Sequence, residues 1–181
     1  MVTVKKILLS GLLLSFLTAP VLAEKHSLSV GYATGKLSAD GYGNSDNGHP
    51  DGMNFKYRYE LTDKWGVIGA FTFADDILGG GVPAMVEWNY TSYMVGPSWR
   101  FNDYISIYYL MGLARADTHV TTSYTTKYKK NAYVGSLGVQ INPWPNVVFD
   151  IGYEGARFNG YPEKGTDMIS GLFTLGVGYR F

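Results

Sequence analysis

Met53 to Leu61 reads MNFKYRYEL. Met53, Phe55, Tyr57, Tyr59 and Leu61 fall on one face of an extended chain, and Asn54, Lys56, Arg58 and Glu60 on the other. Strict period-two alternation marks a strand with one apolar and one polar face. Alone, this stretch suits a half-buried strand of a soluble sheet equally well. The pattern recurs on both sides. Leu28, Val30 and Tyr32 alternate with small residues, as do Trp65, Val67, Phe71 and Phe73, while Val95, Pro97, Trp99 and Phe101 alternate with Gly96, Ser98 and Arg100. Ile107 to Leu113, Tyr133 to Ile141, Phe149 to Tyr153 and Phe173 to Phe181 continue it. The chain therefore reads as eight strands.

The connections alternate too. Thr62-Asp63-Lys64, Asn102-Asp103-Tyr104 and Asn142-Pro143-Trp144-Pro145-Asn146 are short turns rich in turn-forming residues. Their first residues stand 40 positions apart. Between them lie longer connections, roughly Ser38 to Gly52, Asp75 to Glu87, Asp117 to Lys130 and Asn159 to Asp167. Short turns at one end and long loops at the other describe an all-β, eight-stranded antiparallel transmembrane β-barrel, with periplasmic turns and four extracellular loops.

A soluble barrel of lipocalin type would turn the apolar face inward, and an outer-membrane barrel would turn it outward. An eight-stranded interior is barely wide enough for its own side chains. Trp65, Phe71, Trp99, Phe101, Tyr109, Phe149, Tyr153, Phe173 and Tyr179 would overfill it, whereas the Gly, Ala, Ser and Thr of the other face fit. In the reverse arrangement Lys56, Arg58, Arg100 and Arg180 would meet lipid, at ~2–4 kcal/mol each near mid-bilayer. The apolar face therefore points outward. The inward charges Lys56, Arg58, Glu60, Arg100, Asp150, Glu154 and Arg180 then form a structural network, because a buried unpaired ion is costly. Asp150 is expected to pair with Arg180 near the short-turn rim, and Glu60 with Arg100. Closure is obligatory, since hydrocarbon offers a free strand edge no partners, so strand one must pair with strand eight. Tyr59, Trp65, Trp99, Phe101, Tyr104, Trp144, Tyr179 and Phe181 read as the periplasmic aromatic belt, and Trp88, Tyr90, Tyr133 and Phe158 as the outer one.

Composition narrows the function. The chain has 181 residues, no Cys, 15 Tyr and 23 Gly, and only 17 % charged residues. Absence of Cys excludes disulfides and thiol chemistry. Lys+Arg and Asp+Glu are both 15, which gives no basic surplus for nucleic acid. Lys5 and Lys6, the apolar run Ile7 to Leu17 and the small-residue site Val21-Leu22-Ala23 form a secretory signal. Residues 1–23 are expected to be cleaved, leaving 24–181 as the barrel with a net charge of −2.

Two segments are diagnostic. Gly52 to Glu60, GMNFKYRYE, resembles the strand-two signature of the Ail/OmpX/PagC/Lom outer-membrane proteins, and Phe173 to Phe181, FTLGVGYRF, resembles their C-terminal signature. Gly66 to Ala74, Gly96 to Gly112 and Gly138 to Glu154 are similar to that family's strands and turns. The resemblance spans the mature chain apart from the long loops. It implies a Gram-negative outer membrane, and a C-terminal Phe181 read by the barrel-assembly machinery. It also implies a range of roles: adhesion and invasion, complement resistance, and housekeeping.

Candidate chemistry is sparse. His26, His49 and His119 are the only histidines, and no strand places one beside Ser and Asp at the outer rim, as a hydrolytic triad requires. Asp40, Asn44, Asp46, Asn47 and Asp51 lack the spacing of a calcium loop. No catalytic residue, cofactor or metal is therefore expected, and an eight-stranded interior leaves no pore. Arg115, Lys127, Lys129, Lys130 and Arg157 gather toward the long-loop ends, at the height of lipopolysaccharide phosphates, which such residues bind by charge-assisted hydrogen bonds. An apolar second loop around Ile77, Leu78 and Val82 is the other candidate. The expectation is a monomeric surface protein that contacts lipopolysaccharide, host extracellular matrix or complement regulators. The alternative is an envelope protein with no specific ligand; a lipid-modifying enzyme or a small pore fits less well.

Overall fold

A computed structural model describes residues 25–40, 47–78, 85–121, 125–161 and 167–181. The expected signal peptide, residues 1–23, lies outside these. Nine strands run in chain order: β1 (His26–Asp40), β2 (Asn47–Gly48), β3 (Asp51–Glu60), β4 (Trp65–Leu78), β5 (Met85–Arg100), β6 (Ile105–Thr121), β7 (Thr125–Trp144), β8 (Val147–Asn159) and β9 (Asp167–Arg180). β2 is a two-residue pairing against Leu37 and Ser38. The other eight form an antiparallel meander that closes on itself. β1 pairs with β9 from Ser27 opposite Arg180 to Asp40 opposite Asp167. Backbone bonds between His26 and Phe181, 3.0 and 2.8 Å, fasten the seam at its periplasmic end.

The turns form by the chemistry their residues offer. The Thr62 hydroxyl accepts from the Trp65 N–H at 3.0 Å, and the Asn102 carboxamide accepts from the N–H groups of Tyr104 and Ile105 at 2.9 and 2.7 Å. Each side chain takes a place in the turn that the backbone alone would leave open.

Alternation sorts the faces as expected. Leu28, Val30, Tyr57, Val95, Tyr109, Phe149 and Leu175 are exposed on the outside, while Lys56, Arg58, Thr72, Asp150 and Glu154 are buried within. Asp75 stands ten positions beyond Trp65 on β4. At ~3.3 Å per residue and a tilt of ~40° they span about 25 Å of the membrane normal, the height of the apolar band of such barrels. Above that band the outward positions turn polar at Lys36, Asp51, Asp75, Asn89, Arg115, Asn131 and Arg157, all exposed.

Two expectations are corrected. The second and third long loops are largely strand: β4 runs on to Leu78, and β6 and β7 stay paired up to Thr121 opposite Thr125. Their outer faces leave lipid for water there, so the apolar alternation stops although the ladder does not. Trp88, Tyr90 and Phe158 do not form an outer belt. They lie inside, each 0–1 % exposed, because β5 and β8 keep phase: Tyr93 and Tyr153 face out, and the even-numbered residues of these two strands face in. Tyr133, 86 % exposed, does face out.

Candidate functional site

The lumen has two tiers. In the periplasmic half, Lys56 Nζ lies 2.5 Å from Asp150 and donates to Thr174 at 3.2 Å. Tyr108 and Gln140 also donate to Asp150, each at 3.1 Å, and Gln140 accepts from Arg58 at 3.1 Å. Tyr108 reaches across because Gly138 and Gly152 face it; a Cβ on either would stand within 2.4 Å of its hydroxyl. Glu60 is shared by three guanidiniums. Arg100 bonds it directly, Arg180 lies 3.1 Å away and Arg58 3.6 Å away. Higher up, Glu154 accepts from Tyr90 at 2.5 Å and from Thr72 at 2.8 Å, and Thr72 accepts from Asn54 at 2.8 Å.

Asp150 thus pairs with Lys56, not with Arg180. In the β8–β9 ladder Asp150 stands opposite Gly176, which places Arg180 four residues nearer the periplasm, at the level of Glu60. Arg180 is level with the turn residue Asn146, whose carbonyl accepts its N–H at 2.9 Å, whereas β8 begins at Val147 and Asp150 lies three residues further in.

The outer half of the lumen is apolar. Trp88 stacks on Tyr90 with ring centroids 5.4 Å apart, and Phe158 meets Tyr90 edge-on at 6.4 Å. Leu37, Ala116, Met168 and Leu172 complete this buried cluster. Tyr161 joins it and ties down the rim, its hydroxyl 2.6 Å from Thr118 and donating to the Tyr128 carbonyl at 3.2 Å. Aromatic and aliphatic packing therefore closes the polar network off from the cell exterior.

The basic residues singled out from the sequence are only partly brought together. Above the band β5, β6 and β7 form a protruding sheet. Its outer face carries two ladder rows, Glu87–His119–Lys127 and Asn89–Asp117–Lys129, with Arg115 opposite Asn131 in the next. Asp117 lies 3.2 Å from Arg115 and 3.9 Å from Lys129, and Glu87 lies 3.8 Å from His119. Lys127 and Lys129 are exposed members of this face, not of a loop. Lys130 stands opposite Ala116 on the other face of the sheet, although it too is exposed. Arg157 is apart on β8 and paired with Asp167 at 2.7 Å. The Arg157 guanidinium, aided by the Gly160 N–H, holds the Asp167 carboxyl below the ordinary carboxylate range. Asp117 stands two residues from Arg115 on the same face of β6, but its contact with Lys129, and those of Glu87 with His119 and Asp167 with Arg157, come from cross-strand register and not from local spacing.

The histidines stand at three separate places. His26 Nδ1 lies 2.7 Å from the Tyr57 hydroxyl and its ring stacks on Phe181. His49 donates its backbone N–H to Asp76 at 2.7 Å, and His119 faces Glu87. Asn44 and Asp46 of the acidic first loop, and Val82 of the second, lie outside the described residues. Among the described residues no group of three or more His, Asp or Glu is placed to hold a metal ion.

Residues 9–181 match the family of the outer membrane protein beta-barrel domain. The attachment invasion locus protein of Yersinia enterocolitica is 36 % identical over 186 residues, covering 98 % of this chain and 99 % of that protein. The virulence membrane protein PagC of Salmonella typhimurium is 33 % identical, with 88 % of each chain covered. The crystal structure of Ail, the attachment invasion locus protein of Yersinia pestis, superposes with a TM-score of 0.74 at 34 % identity, over 88 % of this chain and 100 % of that one. The same protein in complex with the heparin analogue sucrose octasulfate superposes with a TM-score of 0.71 at 31 % identity and the same coverage.

Proposed function

The chain belongs to the Ail/OmpX/PagC/Lom family of Gram-negative outer-membrane β-barrels, and on that premise we propose that it is a surface-display protein whose protruding sheet binds polyanions. Its relatives set the general type of role, that of attachment and virulence proteins. The observation that carries the finer reading is the outward face on which Arg115, Lys127 and Lys129 stand together above the apolar band. Three cations against Asp117 and Glu87 leave an excess positive charge, and Lys127 has no ion pair among the described residues. The Yersinia pestis relative's complex with a heparin analogue supports this choice of ligand class. Lipopolysaccharide phosphates and sulfated host matrix share the chemistry, and Arg157 and Lys130 extend the reach of the site at its margins.

The test is binding of the purified, refolded barrel to heparin and to lipopolysaccharide across a salt series. Lys127→Glu with Lys129→Glu should weaken binding on the order of tenfold at low salt, since each exposed charge contributes ~0.2–1 kcal/mol. The difference should shrink as salt rises, because such charges are screened over ~8 Å at physiological ionic strength. Lys130→Glu alone should act less, being on the opposite face. Superimposable curves for parent and double variant would remove this face from the function. A second reading, a structural envelope protein, draws support from the pairing of Arg115, Lys129 and Arg157 with their own carboxylates.

Phe181 is the proposed point of contact with the barrel-assembly machinery. It also closes the seam through His26. Deleting it should lower the heat-modifiable folded fraction in cells more than in detergent refolding, where no machinery acts. Equal losses in both would assign Phe181 a purely structural role.

A further inference from the structure

Cleavage after Ala23, expected from the secretory signal, makes Glu24-Lys25-His26 the start of the mature chain. A histidine in third place behind a free α-amine is a chelating arrangement by its chemistry alone. The amine nitrogen, the backbone nitrogens of the second and third residues and the imidazole Nδ1 can close around a single ion in fused rings that share one plane. Four nitrogens in a square plane suit Cu(II) and Ni(II), whereas Zn(II) favours a tetrahedron.

The fold leaves this arrangement within reach of water. β1 begins at His26, so Lys25 stands outside the ladder. Lys25 is exposed and His26 partly so. The Lys25 carbonyl accepts from the Glu60 N–H at 2.7 Å, a bond that chelation leaves alone because only nitrogens serve as ligands. His26 Nδ1, the ring nitrogen the chelate uses, lies 2.7 Å from the Tyr57 hydroxyl at the rim. Exchanging that hydroxyl for a metal strands no buried group, since Tyr57 is itself exposed. One seam bond is given up. The His26 N–H donates to the Phe181 oxygen at 3.0 Å, and this amide must lose its proton to bind the ion. The Phe181 N–H keeps its bond to the His26 carbonyl at 2.8 Å, and the ladder resumes at Ser27 opposite Arg180, so the seam stays closed.

We propose that the mature N-terminus is a Cu(II)- and Ni(II)-binding site on the periplasmic side of the barrel. Its ligands are the Glu24 amine, the Lys25 and His26 amide nitrogens, and His26 Nδ1. The site rests on cleavage after Ala23 and is independent of the protruding sheet at the opposite end of the barrel. Binding sends the two amide protons, and any proton on the amine, into solvent, and the metal keeps its oxidation state.

The test titrates Cu(II), Ni(II) and Zn(II) into the barrel purified from outer membranes in detergent, its N-terminus read by intact mass. The parent should begin at Glu24 and take up a single Cu(II) or Ni(II) with the visible absorption of a four-nitrogen square plane. It should bind Cu(II) about fivefold more weakly than the free peptide Glu-Lys-His, the effect of the seam bond given up. Zn(II) should bind far more weakly than Cu(II). One extra Gly before Glu24 moves the histidine to fourth place without touching any residue of the barrel. That variant should lose the square-planar spectrum while remaining heat-modifiable. His26→Ala should lose it too, whereas His49→Ala and His119→Ala should keep it. A mature chain that starts at another residue, an unchanged spectrum in the Gly-extended variant, or Zn(II) bound as tightly as Cu(II) would overturn the proposal.

Discussion

Glu60→Gln should destabilise the barrel by about 3 kcal/mol, measured by urea unfolding in lipid vesicles. Removing one partner from a buried ion pair costs ~3–5 kcal/mol, because the remaining charge stays desolvated and unpaired. Here one substitution removes the carboxylate that three guanidiniums share. The lower end of that range applies, since the periplasmic mouth admits water to Arg100 and Arg180. Glu87→Gln is the control. It removes a carboxylate from an exposed contact with His119 and should change stability by no more than ~0.5 kcal/mol. Equal effects of the two would mean that the lumen charges are solvated individually and do not act as a network.

Phe71→Arg should cost ~2–4 kcal/mol, the penalty for Arg on the lipid face near the bilayer midplane. Phe71 lies about midway between Trp65 and Asp75 on the outer face, and its ring centroid is 5.0 Å from that of Tyr93. Its neighbour Thr72 is fully buried on the inner face, bonded to Asn54 and Glu154. Thr72→Ser keeps the hydroxyl that makes both bonds and should cost less than ~1 kcal/mol, as the loss of a single methyl. Insertion into vesicles, followed by the heat-modifiable shift, reads both variants. If the two behaved alike, the inward and outward phase of β4 would be wrong, and with it that of every strand registered to it.

How much was legible in the sequence depends on what each residue's neighbour is. Facing was readable throughout the membrane band, because lipid on one side and a narrow lumen on the other force a period of two on MNFKYRYEL and its counterparts. The same logic, carried upward from Tyr93 and Tyr153, places Trp88, Tyr90 and Phe158 inside. Aromatic residues near a membrane border invite the belt reading instead, and phase decides against it. Strand ends were not readable. At Asp117, His119, Lys127 and Lys129 the outer face meets water, so the hydrophobic signal ends while backbone pairing continues. The partners of the charged residues were not readable either. Glu60 with Arg100 follows from their common nearness to the turns, but Asp150 with Lys56 spans 94 positions and depends on barrel closure and tilt. The candidate binding face suffers most from this limit. Its basic residues are visible one by one, and once the strands are known to continue, alternation separates Lys129 from Lys130 and sets Arg115 beside Asp117, whereas the pairing of Lys129 with Asp117 and of Arg157 with Asp167 emerges only from register.

The most direct measurement is adhesion of a non-adherent, serum-sensitive bacterial strain expressing this protein, with host-cell binding and serum survival both scored at matched surface levels. The parent protein should confer host-cell binding that soluble heparin competes away, and Lys127→Glu with Lys129→Glu should lose most of that binding while the barrel remains folded in the outer membrane. A strain that displays the folded parent protein, yet binds host cells and survives serum no better than the empty strain, would contradict the account and leave the envelope-structural role in its place.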